Sequence, residues 1–370
     1  MRILQVLPHL SKGGAERVVV ELSNSLVTVD HEITLLLAFP VNLELNLQFL
    51  SKKVHVKYLM VDSTNRTLVY LKLPFYLIRH WKNLKTYEVI HCHLTFGLVF
   101  GSLMSFGRKI TRSKGPRLVA TCHVVGLDIS RIQRIINEKF SVFFDVFALM
   151  AQDAKWRNLI SHAKKSNIHI VVNGITVSGW NSQLKKFRKK SSLTVGTISR
   201  LQRERKPWLF LEVFARLHEL TNGKVRFVLG GEGPERPNLM ALAEELNLSN
   251  NLSMPGLVQD PKSFLKDLDF YVALNVEDIT GIAGLEAVSS GIPTVGIQLS
   301  STYEKGENDW IWSSQDPQIV AFKIANLLEN PKKLAKLAKD QHHVAIRDYT
   351  IERMRDHYLN LYSVGEGRFR

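Results

Sequence analysis

The chain has 370 residues, 45% hydrophobic and 22% charged, a composition typical of a globular protein with about two domains. It holds two cysteines, Cys92 and Cys122, which argues against a disulfide framework and indicates a reducing compartment. The N-terminal residues show no signal-peptide pattern, and the longest apolar stretch, 94–107, is too short to span a bilayer. We therefore expect a cytoplasmic protein, and its net charge of +15 requires an explanation.

The first half of the sequence alternates short apolar runs with helical patterns, which predicts a parallel sheet covered on both faces. The predicted strands are 3–7, 33–37, 54–59, 88–91, 118–121, 146–150 and 168–172. Helices are predicted among them at 15–26, 68–84 and 131–144.

The same alternation restarts after a polar basic stretch, 184–192, which is the best linker in the chain. Strands are predicted at 193–198, 226–229, 252–254, 270–273 and 294–297. Helices are predicted at 208–220, 234–246 and 284–290, and consecutive helices follow from residue 317. The predicted domains are 1–183 and 193–350, with a C-terminal segment at 351–370. Ligands of such sheets bind beyond the carboxyl ends of the strands, and a cleft between two domains is the expected site.

Positive charge is concentrated between residues 51 and 120, which hold 13 lysines and arginines but 2 acidic residues. Nucleic acid, an anionic lipid surface and an acidic polymer are the partners that fit this charge. Aromatic and basic residues are interleaved from 66 to 85, a pattern typical of a helix at a membrane surface. An ordinary surface helix with its apolar face on the sheet is the alternative.

Two glycine-containing segments at predicted strand ends could bind anions. The Gly13-Gly14 pair follows the first strand and opens a helix, where free backbone amides favour a negative group. The segment GTISRLQRERKP, 196–207, places four cations within seven residues, which suits a diphosphate. Alone, either segment could also be an ordinary loop.

Two further segments lie at later strand ends. The glycines of GGEGP, 230–234, permit a tight turn before a helix. The segment DITGIAGLEA, 278–287, carries carboxylates at Asp278 and Glu286 around a loop that enters a helix. Its amides could hold phosphate or sugar oxygens, and its carboxylates could accept hydrogen bonds from sugar hydroxyls.

These four segments, in this order and spacing, resemble the family-four glycosyltransferases over nearly the whole chain. The resemblance implies an α/β protein of the GT-B fold, with two Rossmann-like parallel-sheet domains facing a central cleft. It implies a retaining transfer of sugar from a nucleotide donor, such as a UDP- or GDP-sugar, without a bound metal or other cofactor. It also implies that the last helix, 351–362, crosses back to the first domain.

Site residues follow from the resemblance position by position. Arg200 with Arg205 or Lys206 should bind the diphosphate, Glu286 the ribose, and His123 should face the donor sugar. The residues implied in catalysis are His123, Arg200, Arg205, Lys206 and Asp278. Those implied in donor binding are Gly13, Gly14, Gly231, Gly233, Met254, Gly256, Leu257, Thr280, Gly281, Ile282 and Glu286.

Several positions depart from the family pattern. The first acidic residue is Asp278 instead of glutamate, and Thr280 replaces the usual phenylalanine. The family has a lysine in the diphosphate segment. Its counterpart here is Arg205 if the spacing is kept, or Lys206 if the residue type is kept. The turn that begins with Asn173-Gly174 ends in Thr176 instead of aspartate.

The acceptor that these considerations favour is a lipid-linked or polysaccharide intermediate of lipopolysaccharide, capsule or exopolysaccharide assembly, met at the inner face of the cytoplasmic membrane. Alternatives are a nucleotide-sugar epimerase of related fold, a non-catalytic nucleic-acid-binding or glycan-binding protein, and an inactive transferase. A metal site formed by His91, Cys92, His93, Cys122 and His123 is disfavoured, because side chains alternate faces along a strand.

Overall fold

The computed structural model describes residues 1–11, 13–41, 46–60, 66–123, 131–150, 167–177, 192–276, 279–299 and 310–363. The described chain forms two compact units. The first holds residues up to 176 together with those from 350 onward, and the second holds most of 177–349. Most of the predicted linker, 184–191, lies outside the described residues.

The first unit is built on a parallel sheet of seven strands in the order β3-β2-β1-β4-β5-β6-β7. These strands are β1 (Arg2–Leu7), β2 (Glu32–Leu37), β3 (His55–Tyr58), β4 (Val89–His93), β5 (Arg117–Cys122), β6 (Val146–Leu149) and β7 (Ile168–Ile170). The helices are α1 (Gly14–Val27), α2 (Arg66–Leu84), α3 (Leu94–Thr111) and α4 (Arg131–Phe140), with 3-10 turns at Leu47–Phe49 and Ser141–Phe143. Every residue of β4 is buried, as expected for a strand covered on both faces.

The second unit repeats this plan with the strand order β10-β9-β8-β11-β13-β14. The strands are β8 (Leu193–Ile198), β9 (Val225–Gly230), β10 (Leu252–Gly256), β11 (Phe270–Val276), β12 (Ile279–Thr280), β13 (Thr294–Gln298) and β14 (Ser313–Ser314). All pair in parallel except β12, which folds back antiparallel on β11. The helices are α5 (Trp208–Leu220), α6 (Arg236–Glu245), α7 (Pro261–Lys266), α8 (Ile282–Ser289), α9 (Pro317–Leu328) and α10 (Pro331–Asp348), with a 3-10 turn at Arg203–Arg205.

Three helices of the second unit begin at the same local sequence, an Asp or Asn followed by proline. The side chains of Asp260, Asp316 and Asn330 each accept a hydrogen bond from a backbone amide in the first turn of α7, α9 and α10. Proline is tolerated at the first helical position, because a backbone N–H there would have no hydrogen-bond partner within the helix. Local sequence therefore determines where these helices start.

The last helix, α11 (Ile351–Ser363), packs with the first unit and lies beside α1. Its first amide, on Ile351, donates to the Ile175 carbonyl at 2.9 Å. Farther along, the Arg117 side chain donates to the Leu361 carbonyl at 2.8 Å. The buried face of α11 consists of Ile351, Met354, Tyr358, Leu361 and Tyr362.

Some elements differ from the sequence-based expectations. Helix α3 was not predicted, because its 18 residues are mostly apolar and lack the polar face that marks an amphipathic helix. The predicted helix at 131–144 ends at Phe140 and continues as a 3-10 turn. None of the described helices is long and apolar enough to cross a membrane.

The packing of α11 yields a stability prediction. Met354 is 3% exposed, and its sulfur accepts a hydrogen bond from the Gly174 amide at 3.2 Å. Met354→Ala should destabilise the first unit by about 2–4 kcal/mol, since it leaves a cavity. We expect hydrogen exchange to speed up in β1, β4 and β5 but not in β8–β11. The exposed neighbour His357→Ala is the control, and equal exchange in both variants would contradict the assignment of α11 to this unit.

Candidate functional site

In the second unit, the loops that follow β8 and β9 are joined backbone to backbone. The Ser199 amide donates to the Gly230 carbonyl at 2.9 Å, and the Leu201 amide donates to the Glu232 carbonyl at 3.0 Å. The Glu235 amide closes the arrangement with a 3.0 Å hydrogen bond to the Leu201 carbonyl. The loop that carries Arg200 is therefore fixed on both sides by main-chain contacts.

Two predicted donor-binding glycines make this close approach possible. A Cβ on Gly231 would lie 1.8 Å from the Ser199 carbonyl oxygen, and a Cβ on Gly233 would lie 2.2 Å from that of Leu201. Gly231 also has a φ of 135°, which other residues rarely adopt. The structure thus gives both glycines a role in holding the Arg200 loop, while direct contact with a donor stays a prediction.

The cations of this loop make no close ion pairs within the described residues. Burial lowers the pKa of Arg205, the charge of Arg200 lowers it further, and the charge of the adjacent Glu204 raises it. Within the described residues, no carboxylate forms an ion pair with Arg200, Arg205 or Lys206. Two neighbouring guanidinium groups in the loop after a strand are suited to bind an anion with more than one oxygen.

The end of β10 is hydrogen-bonded to the loop that follows β9. The Gly231 amide donates to the Gly256 carbonyl at 2.7 Å, and the Arg236 guanidinium donates to the Met254 carbonyl at 2.7 Å. Gly256 has a φ of 82°, a left-handed conformation that favours glycine. Met254 and Leu257 are half-buried on either side of it. The predicted donor-binding residues Met254, Gly256 and Leu257 therefore lie at the strand end beside the Gly231 turn.

The start of α8 is open to a ligand. Gly281 is its N-cap and is exposed. Among the described residues, no side chain caps the helix, and a Cβ on Gly281 would meet no atom closer than 4.0 Å. Ile282 is the first helical residue, so its amide lies at the positive end of the helix. Thr280 is buried and donates to the Asn275 side chain at 3.1 Å. Asp278 lies outside the described residues.

Glu286 sits one turn into α8, is 8% exposed, and lies near Tyr271. Burial raises the pKa of Tyr271 to about 12, and the Glu286 charge contributes to that rise. The Tyr271 hydroxyl accepts a hydrogen bond from the Ile198 amide at 3.1 Å. Tyr271, a residue not predicted from the sequence, is therefore hydrogen-bonded to the end of β8 and lies within electrostatic range of Glu286.

In the first unit, the Gly13 turn is shaped by a buried carboxylate. Gly13 is the N-cap of α1 and Gly14 its first residue, and a Cβ on Gly13 would lie 1.8 Å from a Glu16 carboxylate oxygen. Glu16 accepts a hydrogen bond from the Ser11 hydroxyl at 3.1 Å, and the Asn46 amide donates to the Gly13 carbonyl at 3.4 Å. The sequence analysis missed Asn46, because it is 33 residues away along the chain.

His123 follows β5 and belongs to a buried histidine cluster. Its Nε2 lies 2.8 Å from Nδ1 of His93, whose ring is 4.1 Å from that of His91. Burial lowers the pKa of His123 to about 4. The His91 ring nitrogens contact the Tyr362 hydroxyl and the Thr121 hydroxyl, both at 2.7 Å. Across the parts of the chain that the structure describes, no group of three or more His, Cys, Asp or Glu is placed to hold a metal ion.

Both units have the strand order of Rossmann-like sheets, which defines a two-domain α/β protein. The sequence pattern described as Glycosyltransferase Family 4 matches residues 12–178, and that described as Glycosyl transferases group 1 matches 179–343. The chain therefore belongs to the family-four glycosyltransferases of GT-B type.

Curated relatives are similar at low identity. The chain is 23% identical over 219 residues to a poly(ribitol-phosphate) alpha-N-acetylglucosaminyltransferase of Staphylococcus aureus, covering 58% of this chain and 43% of the relative. It is 27% identical to the lipopolysaccharide core glycosyltransferase LpsE of Rhizobium meliloti, covering 35% of this chain and 39% of the relative. It is 23% identical to the O-antigen glycosyltransferase WclY of Escherichia coli, covering 58% of this chain and 62% of the relative. The matches thus span less than two thirds of each of these relatives.

Solved structures share the fold over nearly the whole chain. HepE of Anabaena, in complex with UDP and glucose, has a TM-score of 0.76 at 17% identity, covering 98% of this chain and all of that one. TarM of S. aureus has a TM-score of 0.75 at 14% identity, and the match covers 98% of this chain and 99% of that one. At this identity the likeness shows the fold alone.

The glycine contacts yield a second prediction. Gly233→Ala should lower the stability of the second unit by about 1–3 kcal/mol, because its Cβ has no room against the Leu201 carbonyl. Gly281→Ala, at an open position, should cost less than about 1 kcal/mol. Thermal unfolding of both variants tests this, and equal melting temperatures would contradict the close packing of the two loops.

Proposed function

We propose that the protein is a retaining glycosyltransferase that moves a sugar from a nucleotide-sugar donor to a lipid-linked or polysaccharide acceptor in surface-glycan assembly. The observation that carries this proposal is the pair of guanidinium groups on Arg200 and Arg205, which lie within electrostatic range of each other in the segment that follows β8. A diphosphate supplies several oxygens to such a pair. The open amides at Gly281 and Ile282 and the buried Glu286 offer further donors and an acceptor in the same unit.

The proposed chemistry depends on charge. When the bond between the anomeric carbon and the diphosphate breaks, negative charge grows on the leaving diphosphate. Arg200 and Arg205 would stabilise that charge from fixed positions, which lowers the barrier. Because the Arg200 loop is fixed by main-chain hydrogen bonds, little reorganisation is needed at the moment of reaction. The proposal therefore includes catalysis without a bound metal ion.

The relatives support the substrate class. Their names assign them to glycosylation of poly(ribitol phosphate), lipopolysaccharide core biosynthesis and O-antigen biosynthesis, and the similar HepE structure holds UDP and glucose. The donor we favour is thus a UDP-sugar, with a GDP-sugar as the next choice. Transfer with retention would be tested by NMR analysis of the anomeric configuration of the product, and an inverted product would contradict that part of the proposal.

Donor binding can be tested on matched arginines. Arg205 is partly buried beside Arg200, whereas Arg203 in the same 3-10 turn is exposed. Arg205→Ala should weaken binding of UDP or GDP by tenfold or more, since a charge-assisted hydrogen bond contributes about 1.5–3 kcal/mol.

The Arg203→Ala control should bind within about twofold of the wild type, because exposed charges contribute little. Isothermal titration calorimetry with UDP, GDP, ADP and CDP provides the comparison. Unchanged affinity in Arg205→Ala, or no nucleotide binding by folded wild-type protein, would contradict the proposed function.

The second part of the proposal is contact with an anionic membrane through α2, at the cytoplasmic face. Leu71, Phe75 and Ile78 on this helix are 65%, 74% and 76% exposed. Exposed Lys72, Arg79 and Lys82 lie among them, and the helix contains no acidic residue. An apolar ridge with cationic edges fits the interface of an anionic bilayer, where each cation contributes about 1 kcal/mol.

Vesicle flotation tests this contact. Phe75→Asp combined with Ile78→Asp should reduce binding to phosphatidylglycerol-containing vesicles at least about tenfold. The double variant removes apolar area from the ridge and adds negative charges, which the anionic lipids repel. Phe322→Asp, on the exposed face of α9 in the second unit, is the matched control. If wild-type protein fails to float with these vesicles at low salt, the membrane contact is wrong.

A further inference from the structure

A buried hydrogen bond lies immediately before the start of α8. Asn275 on β11 and Thr280 on β12 are opposite each other in the antiparallel pairing of these two strands. The Thr280 hydroxyl donates to Asn275 Oδ1 at 3.1 Å, and the two residues are 6% and 0% exposed. The next residue, Gly281, is the N-cap of α8. The bond therefore joins an interior strand of the sheet to the residue that precedes the helix start.

Both side chains are also packed closely against glycines. A Cβ on Gly284, in the first turn of α8, would lie 2.5 Å from Cγ2 of Thr280. A Cβ on Gly296, on β13, would overlap the side-chain amide of Asn275. The bare glycine backbones thus let Thr280 touch α8 and let Asn275 lie against β13. Strand β12 and the first turn of α8 are held to the sheet through these two side chains.

Packing alone does not account for Asn275. Its Nδ2 is buried and has no hydrogen-bond partner among the described residues. A buried donor without a partner destabilises the folded chain. A leucine has nearly the same shape and carries no polar atom, so it would avoid this cost. What asparagine offers and leucine does not is a directional hydrogen-bonding group that meets Thr280. The cost therefore indicates a requirement for that bond.

We propose that Asn275 and Thr280 are positioning residues, whose hydrogen bond fixes the start of α8 so that the Gly281 and Ile282 amides meet the ligand from a set position. Thr280 acts through the helix start and does not itself touch the ligand. Fixed groups bind more tightly, because less ordering is needed on binding. The identity of the ligand as a nucleotide-sugar rests on the proposed function, whereas the fixing of α8 does not depend on it.

The first test measures how firmly the start of α8 is held. The Gly284 and Leu285 amides both donate to the Gly281 carbonyl, at 2.9 and 3.1 Å, so their hydrogen exchange reports opening of this turn. Thr280→Val removes the hydroxyl with little change of shape, and it should speed exchange at both amides about fivefold, the effect of one neutral hydrogen bond. Thr280→Ser keeps the hydroxyl and should restore most of the protection. Unchanged exchange in Thr280→Val would overturn the proposal.

A matched control lies in the same helix. Ser289 is 0% exposed, and its hydroxyl has no hydrogen-bond partner among the described residues. Ser289→Ala therefore removes a buried hydroxyl from α8 without removing the bond to Asn275, and exchange at Gly284 and Leu285 should stay at the wild-type rate. Equal acceleration in Ser289→Ala and Thr280→Val would show a general loosening of α8 and would contradict the positioning role.

The second test asks what the bond does for binding, with UDP-glucose as the probe in calorimetry. Thr280→Val should bind about fivefold more weakly than the wild type, and Thr280→Ser should regain most of that loss. The double variant Asn275→Leu with Thr280→Val replaces both partners by apolar groups of similar shape. It should melt at or above the wild-type temperature, since the unpartnered amide is gone, yet keep the weakened binding.

A purely structural role would instead make affinity follow the melting temperature. Wild-type affinity in the double variant, or in Thr280→Val despite its faster exchange, would overturn the positioning role. If folded wild-type protein binds no UDP-glucose, the proposed function fails for this donor, and the exchange rates still decide whether Asn275 and Thr280 hold the start of α8.

Discussion

The rest of the structure depends on one constraint, the place of β1 and β8 within their sheets. At each of these strands the order of the following strands changes direction across the sheet. In each sheet two strands extend to one side of the first strand and the remaining strands extend to the other. The chain leaving the first strand and the chain leaving its neighbour must diverge, so an opening forms at the carboxyl ends. Gly13 and Arg200 lie on loops that leave such strands, and Gly281 follows β12, which folds back on β11. The sheet order thus places the candidate binding groups before any side-chain chemistry is considered.

The two units use their openings differently. In the second, glycines without side chains let two loops approach, and this contact holds Arg200 near Arg205 although the like charges repel. The adjacent Glu204 opposes part of this repulsion, and a bound anion would oppose it further. In the first unit a neutral, hydrogen-bonded histidine cluster lies buried at the ends of β4 and β5. The positive charge of the Arg200 loop and these neutral rings thus belong to separate units of the chain.

Local patterns predicted much of the architecture. Strands 3–7, 193–198 and 294–297 were found within a residue of their observed bounds, because continuous apolar runs identify buried parallel strands. Helix α3 was missed, since a helix buried on most sides lacks amphipathic periodicity. The interpretation of His91 and His93 was also incomplete. Alternation along β4 places both on one face, but only the neighbouring strand and α11 show that they bond to Thr121, Tyr362 and His123.

The sequence by itself determined the family, the parallel α/β class and the loops that carry cations and glycines, because these depend on short-range spacing and on residue type. The tertiary structure decided which side chains meet. Gln5 and His93 are 88 residues apart, Asn46 and Gly13 are 33 apart, and α11 reaches the first sheet from the far end of the chain. No local pattern encodes such pairs, because the contacts arise only when parallel strands and crossing helices bring distant segments together. The physical reason is that strand order, and not distance along the chain, determines which buried polar groups can satisfy one another.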